Sequence, residues 1–479
     1  MTESTNPARK TSIVPAIVAS VVAAAILSFG LRATQSAALP FLGGAFALAV
    51  GSFLTLFYYK KLVVALIVGN VAFLAIANDV FHYSLTYALA QDALLALALA
   101  LAFARALSEN EPIDARLTYL RKPALLLVAY FSVVAFVGFS RGHDSLFLLD
   151  EWYHVFLYYA LAIPLFYALR EREEYDRVFF VVLIAMSATA VQIVLKNYNM
   201  GVYRFITFQS GMFPVVLAVA AAWLSKARTT ALIKGVVAFA SLLVVAGLYY
   251  SYARSLWVSC VVALVVVFFF LLHEKKGARV TKLVFYLAAL ALPILLLRGS
   301  DGPSASTNQE IVAEEQTRDV EYRAQSIADP GRDPSFLMRI ELGYYIYLKI
   351  LDHPIFGAGF GDWVRYKILS ESVNPINYPD NAWLFFLWKG GAVGLAIVVW
   401  FYWRFFRQTF RVYRNSSSPR VRAVALGLFA GYLGVMVYSL FTSNLIKYKY
   451  GSLFAISFAY IEFESAKIKE SNDESSVSS

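Results

Sequence analysis

Apolar stretches close to or above 18 residues recur along almost the whole chain. One such stretch is long enough for a helix to cross the hydrocarbon core of a bilayer. Inside that core every backbone N–H and C=O must be satisfied without water, which a helix does within a single segment. The expected fold is therefore an all-α, polytopic integral membrane bundle of about 14 transmembrane helices. The spans centre near residues 21, 48, 69, 94, 130, 161, 186, 215, 240, 264, 289, 392, 431 and 455. Composition agrees, because 59% of the 479 residues are hydrophobic and only 15% are charged. That leaves too little polar surface for a soluble domain.

The formal charge of +10 could suggest a nucleic-acid partner, but the basic residues lie in short connections between spans, where they set topology. Lys60–Lys61, Arg105 to Lys122, Arg170 to Arg177, Lys226 to Lys234, His273 to Lys282 and Arg404 to Arg422 all fall on one face if the chain starts inside. We therefore expect both termini in the cytoplasm and no nucleic-acid partner. The N-terminal apolar run reads as a retained first helix rather than a cleaved signal. The lone cysteine, Cys260, excludes an intramolecular disulfide and a Cys-based metal site.

The opposite face holds one connection of roughly 80 residues, far longer than a structural loop needs. The expected organisation is eleven membrane helices over 1–297, an outer-face loop with an interfacial helix over 298–380, the last membrane helices over 381–465, and a disordered cytoplasmic tail over 466–479. Within the loop, "FLMRIELGYYIYLKILD" is amphipathic. It reads as a helix ending near Asp352, stopped by His353-Pro354, and lying at the interface or over the bundle. On this topology Asp380-Asn381, at the mouth of the span "NAWLFFLWKGGAVGLAIVVW", shares the outer face with Arg204, Arg254 and Arg339. A polar pair at that depth needs partners or a wet cavity.

Several motifs carry competing readings. "HPIFGAGFGDW" places glycines at 357, 359 and 361. No strand precedes it and its spacing is not a dinucleotide fingerprint. It is either a tight turn where backbones approach closely or a loop lining a substrate cavity. Arg204, Arg254 and Arg339 each precede or open a helix on the outer face. They are snorkelling interfacial arginines or guanidinium clamps for diphosphate oxygens. Gln91 and Asp92 lie in or beside the fourth span, and an acid there is a functional candidate. His82, His143, His154 and His353 lie on or near the outer face without paired-histidine metal spacing, so no metal or other cofactor is expected. Asp380 is either a helix N-cap or a general base.

Together, four segments resemble the bacterial O-antigen ligases and polymerases. "YRFITFQSGMFPVVLAVAAAW" is similar to that family's Arg-bearing segment, and "LYYSYARSLWVSCVVALVVV" to its Arg step opening a helix. "FLMRIELGYYIYLKILDHPIFGAGFGDW" resembles its Arg, aromatic, Pro-x-x-Gly-x-Gly pattern, and "DNAWLFFLWKGGAVGLAIVVW" its final helix. The resemblance covers residues 200 to 400. It implies a metal-independent inner-membrane glycosyltransferase acting on undecaprenyl-diphosphate-linked glycans at the periplasmic face. The acceptor is a second glycan, for a repeat-unit polymerase, or lipid A-core, for a ligase. It implies catalytic roles for Asp380 and Arg339 and substrate binding by Arg204, Arg254, Asn381 and His353. Membrane lipids, a chain-length regulator and a flippase are the further implied partners. Where the ligases carry a histidine, this chain has Asp380, and no histidine follows His353; the polymerase reading is therefore preferred. A lipid-linked saccharide transporter is the alternative from another class, although no internal repeat supports it.

Overall fold

The computed structural model describes residues 120–160, 165, 169, 171–199, 208–227, 229–251, 253–274, 334–364, 376–443, 445–446 and 449–477. Among these the fold is all-helical. Its helices are α1 (Arg121–Ser140), α2 (Ser145–Ala160), α3 (Arg172–Asn199), α4 (Phe213–Lys226), α5 (Ala231–Tyr250), α6 (Arg254–His273), α7 (Pro334–Asp352), α8 (Ala382–Asn415), α9 (Pro419–Tyr438) and α10 (Lys449–Val477). A single antiparallel bridge, Val364 to Ile376, is the only β-pairing among the described residues. Helices α1, α3, α5, α6, α8 and α9 are long and apolar enough to cross a membrane, and α4 is a shorter apolar helix. Of the expected span centres, those at 130, 186, 215, 240, 264, 392 and 431 fall on these segments and the one at 455 falls on α10. Those at 21, 48, 69, 94, 161 and 289 lie outside the described residues, as do Arg204, Gln91, Asp92 and His82.

Close helix packing depends on small residues. Gly427, Gly431 and Gly434 on α9 meet Val219 and Val215 of α4 and Ser259 of α6, so closely that a Cβ would strike their backbones. Such a stripe lets helices approach where lipid offers no hydrophobic drive. Ser259 Oγ then donates to the Gly434 carbonyl at 2.9 Å.

The helix ends sort into two sets. At one end Glu274, after α6, accepts at one oxygen from Lys226 (2.5 Å), Tyr413 (2.6 Å) and Arg422 (2.8 Å). Arg172 clamps Glu464 through two bonds of 2.7 Å, and Arg420 meets Asp176 at 2.9 Å. Four of the basic connections singled out in the sequence contribute to these contacts. The other set joins the end of α1, the start of α2, the turn after α7 and the start of α8.

Helix α7 ends at Asp352, where His353-Pro354 predicts the stop. It buries Leu342, Ile346 and Ile350 against Trp388 of α8 and Ala358 of the following turn. Leu337, Ile340, Tyr344 and Leu351, on its other side, are exposed.

Candidate functional site

The site is organised by a break in α8. Read as sequence, "LWKGGAVGLAIVVW" is a continuous span. In the structure Gly391 sits at φ +64, interrupting the helix. A left-handed residue there frees carbonyls before the break and amides after it. Each is taken up by a neighbour. Ala358 N–H donates to the Trp388 carbonyl (2.8 Å) and Gly359 N–H to that of Lys389 (3.0 Å). Tyr130 OH donates to the Gly390 carbonyl at 2.6 Å. Beyond the break, Ala392 and Val393 donate to the carbonyls of Pro354 (2.9 Å) and Ile355 (3.2 Å). The turn after α7 is thus stitched into a discontinuous membrane helix, an arrangement tolerated where protein covers the opened backbone.

This supports the tight-turn reading of "HPIFGAGFGDW". All five amides from Gly357 to Gly361 donate within the protein: to the carbonyls of His353, Trp388, Lys389 and Val134, and to Glu151 Oε2 at 2.8 Å. None is left to cradle a phosphate. The glycines serve close approach: a Cβ on Gly357 would collide with the backbone of Lys389 and Gly391, and one on Gly391 with Ile355 and Gly357. Arg141 holds the turn from outside, donating to the carbonyls of Gly357 (3.1 Å) and Ala358 (2.7 Å). His143 Nδ1 lies 3.0 Å from the Phe360 carbonyl.

Three carboxylates anchor the assembly. Asp144 caps α2, accepting from the amides of Leu146 (2.9 Å) and Phe147 (3.1 Å). From that start α2 presents Glu151 to the turn, and Asp150 and His154 to Tyr378. Glu151 and Lys389 are wholly buried and meet at 2.7 Å. Lys389 also donates to the Asp362 carbonyl and lies 4.1 Å from the Trp388 ring centre. Burial pushes the Glu151 carboxyl up to about 7, against the pull of Lys389 and the Gly361 amide. Asp362 accepts from Lys349 (3.0 Å), Trp388 Nε1 (2.9 Å) and its neighbour Trp363 N–H (3.0 Å). Burial raises its carboxyl, but the Lys349 and Trp388 hydrogen bonds and the Lys349 and Lys389 charges prevail, holding it below the usual carboxylate range.

The bridge from Val364 to Ile376 brings the segment before α8 alongside the turn. Tyr378 then stacks on Phe385, with ring centres 5.5 Å apart. Its hydroxyl donates to Asp150 Oδ2 at 2.7 Å. His154 Nδ1 lies 3.2 Å from the same hydroxyl and 3.4 Å from Asp150 Oδ1. Burial, with Asp150 and Glu151 nearby, pushes the Tyr378 phenol well above its usual range, so it remains a donor.

Two of the predicted site residues come together. Arg339 Nε, from α7, meets Asp380 Oδ2 at 3.2 Å. Nε is the only nitrogen of that guanidinium with a partner among the described residues. The N-cap reading of Asp380 is corrected. The cap is Asn381, whose Oδ1 accepts from the amides of Trp383 (2.9 Å) and Leu384 (3.1 Å). Asp380 stands one residue outside the helix with its side chain half exposed. Arg254 opens α6, and none of its described contacts joins it to Arg339 or Asp380. His353 is exposed in the turn after α7, its carbonyl accepting from Gly357.

The sequence reading passed over Asp150, Glu151, Asp362, Tyr378 and Lys389. Lys389 carried a signal, since a lysine nine residues inside an apolar span is costly without a partner. The others had none beyond residue type. Among the described residues no group of three or more His, Cys, Asp or Glu is placed to hold a metal ion.

Residues 239–399 match the family described as O-antigen ligase. That span carries α6, α7, the stitched turn, the Arg339–Asp380 pair and the break in α8. Over that span the chain is similar to O-antigen ligases. No curated protein matches the chain.

Proposed function

We propose that this protein is a bacterial inner-membrane glycosyltransferase that joins undecaprenyl-diphosphate-linked glycans at the periplasmic face, without a metal. The observation that carries the reading is the Arg339–Asp380 pair at the mouth of the broken helix, inside the segment similar to O-antigen ligases. Among the described residues Asp380 engages only Nε, which in this reading leaves the terminal nitrogens of Arg339 for a ligand. A guanidinium presented in this way suits diphosphate oxygens and stabilises charge that develops on a leaving diphosphate. Arg204 and Arg254 are the further candidates for the anion site in this reading, with Asn381 at its mouth; His353 stands at the other end of α7 from Arg339, about 21 Å along the helix axis. The clustered basic helix ends on the opposite side, around Glu274 and Glu464, support a cytoplasmic face there under the positive-inside rule. Cytoplasmic termini, and a division into membrane helices, a periplasmic loop over 298–380 and the closing helices, belong to the same reading. The engaged backbone at the Gly391 break argues against an ion-coupled transporter, which would leave such groups for its ion.

Two acceptors remain in play, each with its own support. The absence of any histidine after His353 favours a repeat-unit polymerase, whose acceptor is a second glycan. The description of the matching family favours a ligase, whose acceptor is lipid A-core. A deletion strain separates them: a single repeat unit on the core marks a polymerase, and lipid-linked polymer with bare core marks a ligase. In either case Arg339→Ala and Arg204→Ala should abolish long-chain surface polysaccharide while the protein stays in the membrane. Unchanged chain length would overturn the assignment of that arginine.

A further inference from the structure

We propose that Asp150, on α2, is the general base for the acceptor hydroxyl, and that Asp380 works on the opposite side of the reaction by orienting Arg339. This rests on the glycosyl-transfer reading above. In a single displacement the acceptor oxygen enters opposite the bond to the leaving group. Across the sugar of an inverting glycosidase, for comparison, the two working carboxyls stand roughly 6.5–9.5 Å apart. Asp380 Oδ2 lies 3.2 Å from Arg339 Nε. A carboxylate in contact with the clamp on the leaving diphosphate is on the wrong side to receive the acceptor's proton.

Asp150 is placed for that role. It is tied to the Asp380 segment through Tyr378, which lies two residues earlier, at most about 7 Å along the chain. The Tyr378 hydroxyl fixes one oxygen of Asp150 at 2.7 Å, and His154 Nδ1 lies 3.4 Å from the other. The tyrosine is itself held by stacking on Phe385. The neighbouring groups are poor alternatives. Glu151 is wholly buried and engaged by Lys389 and Gly361, and His154 is 7% exposed. The Asp150 side chain is 48% exposed, held in place yet open to a substrate hydroxyl. The titratable and charged groups around it are Glu151 and His154 on α2 and Tyr378 from the segment before α8, with Lys389 of α8 behind Glu151.

The step balances without a further reactant. The acceptor oxygen bonds to the donor's anomeric carbon as that carbon's bond to the diphosphate oxygen breaks. The hydroxyl proton passes to the Asp150 carboxylate. The bonding electron pair leaves on the diphosphate, facing Arg339. Asp150 then releases its proton to solvent.

The test uses the full chain in lipid nanodiscs, with lipid-linked glycan extracted from a strain lacking the protein. Binding of undecaprenyl diphosphate alone is measured separately. Asp150→Asn keeps an oxygen for Tyr378, so the fold is spared. Its kcat should fall about 10²–10⁴-fold, with undecaprenyl diphosphate affinity unchanged and the acid limb of the pH–rate profile gone. Asp150→Glu should restore part of the rate together with that limb. Asp380→Asn should instead weaken undecaprenyl diphosphate binding about tenfold and keep the acid limb. An Asp150→Asn enzyme with wild-type rate and pH profile overturns the proposal, as does loss of the acid limb in Asp380→Asn alone. Wild-type protein that transfers no glycan from extracts accepted by its host membranes overturns the glycosyltransferase reading itself, and this assignment with it.

Discussion

Lys389→Met isolates the buried pair at the break in α8. Lys389 and Glu151 have no exposed side-chain surface, and their charged atoms are 2.7 Å apart. Removing the lysine leaves Glu151 buried with only the Gly361 amide, at 2.8 Å, as a compensating donor. Breaking a buried pair from one side costs about 3–5 kcal/mol while the remaining group stays charged; the Glu151 carboxyl, already pushed up to about 7 beside the lysine, escapes part of this by binding a proton. The bond from Lys389 to the Asp362 carbonyl is lost as well, adding about 1 kcal/mol. The expected destabilisation is therefore up to about 4–6 kcal/mol, largest at alkaline pH. The double variant Glu151→Gln with Lys389→Met removes both charges and keeps an acceptor for Gly361. It should recover at least about 2 kcal/mol of that loss, because two neutral side chains no longer bear the desolvation of one stranded charge. The assay is equilibrium unfolding of purified protein in mixed micelles, titrated with SDS and followed by tryptophan fluorescence; Trp388 sits against Lys389 and reports locally. A Lys389→Met protein within about 1 kcal/mol of wild type, or a double variant no better than the single one, would refute the reasoning.

Gly391→Ala should destabilise by about 1–3 kcal/mol from its left-handed backbone. The collision with Ile355 and Gly357 adds to this, and the check is thermal aggregation in detergent, where a wild-type midpoint would refute the stitched break. Asn381→Ala should cost about 1 kcal/mol as a lost N-cap, while Asp380→Ala leaves the unfolding midpoint nearly unchanged; the reverse order would return the cap to Asp380. Asp362 is held below the usual carboxylate range, so it contributes stability above its unfolded pKa, near 4. That contribution is lost as pH falls through the lower folded value. Unfolding followed from pH 6 to pH 3 should show a decline that Asp362→Asn reduces, and identical pH slopes for the two proteins would refute it.

Much of the scaffold can be read from residue order. The part of α8 after its break, residues 392–415, is about 36 Å long at 1.5 Å per residue, more than the roughly 30 Å of a hydrocarbon core. Its arginine-rich end accordingly emerges beyond the apolar part. The end of α7 at Asp352 follows from His353-Pro354, a local steric rule. The cap was legible only to within one residue, since Asp and Asn are near-equal caps and both were present. The site was legible only in part. Arg339 and Asp380 stood out as charges at helix mouths on one face. Glu151, Asp150 and Tyr378 did not, because their importance lies in partners more than 200 positions away.

The sequence by itself determined that this is a helical membrane protein, because long apolar runs leave the backbone no other way to satisfy its polar groups in lipid. It also determined which connections are basic and which single helix begins at Asp380-Asn381. Only the tertiary structure decided that α8 is broken at Gly391, that the glycine turn closes the break rather than holding a phosphate, and that Asp380 reaches Arg339 while Asn381 makes the cap. The reason is physical. A helix interior is dictated by hydrogen bonds four residues apart. The broken helix, the buried Glu151–Lys389 pair and the Asp150–Tyr378 contact are held by bonds between distant segments, and these exist only once the bundle has packed.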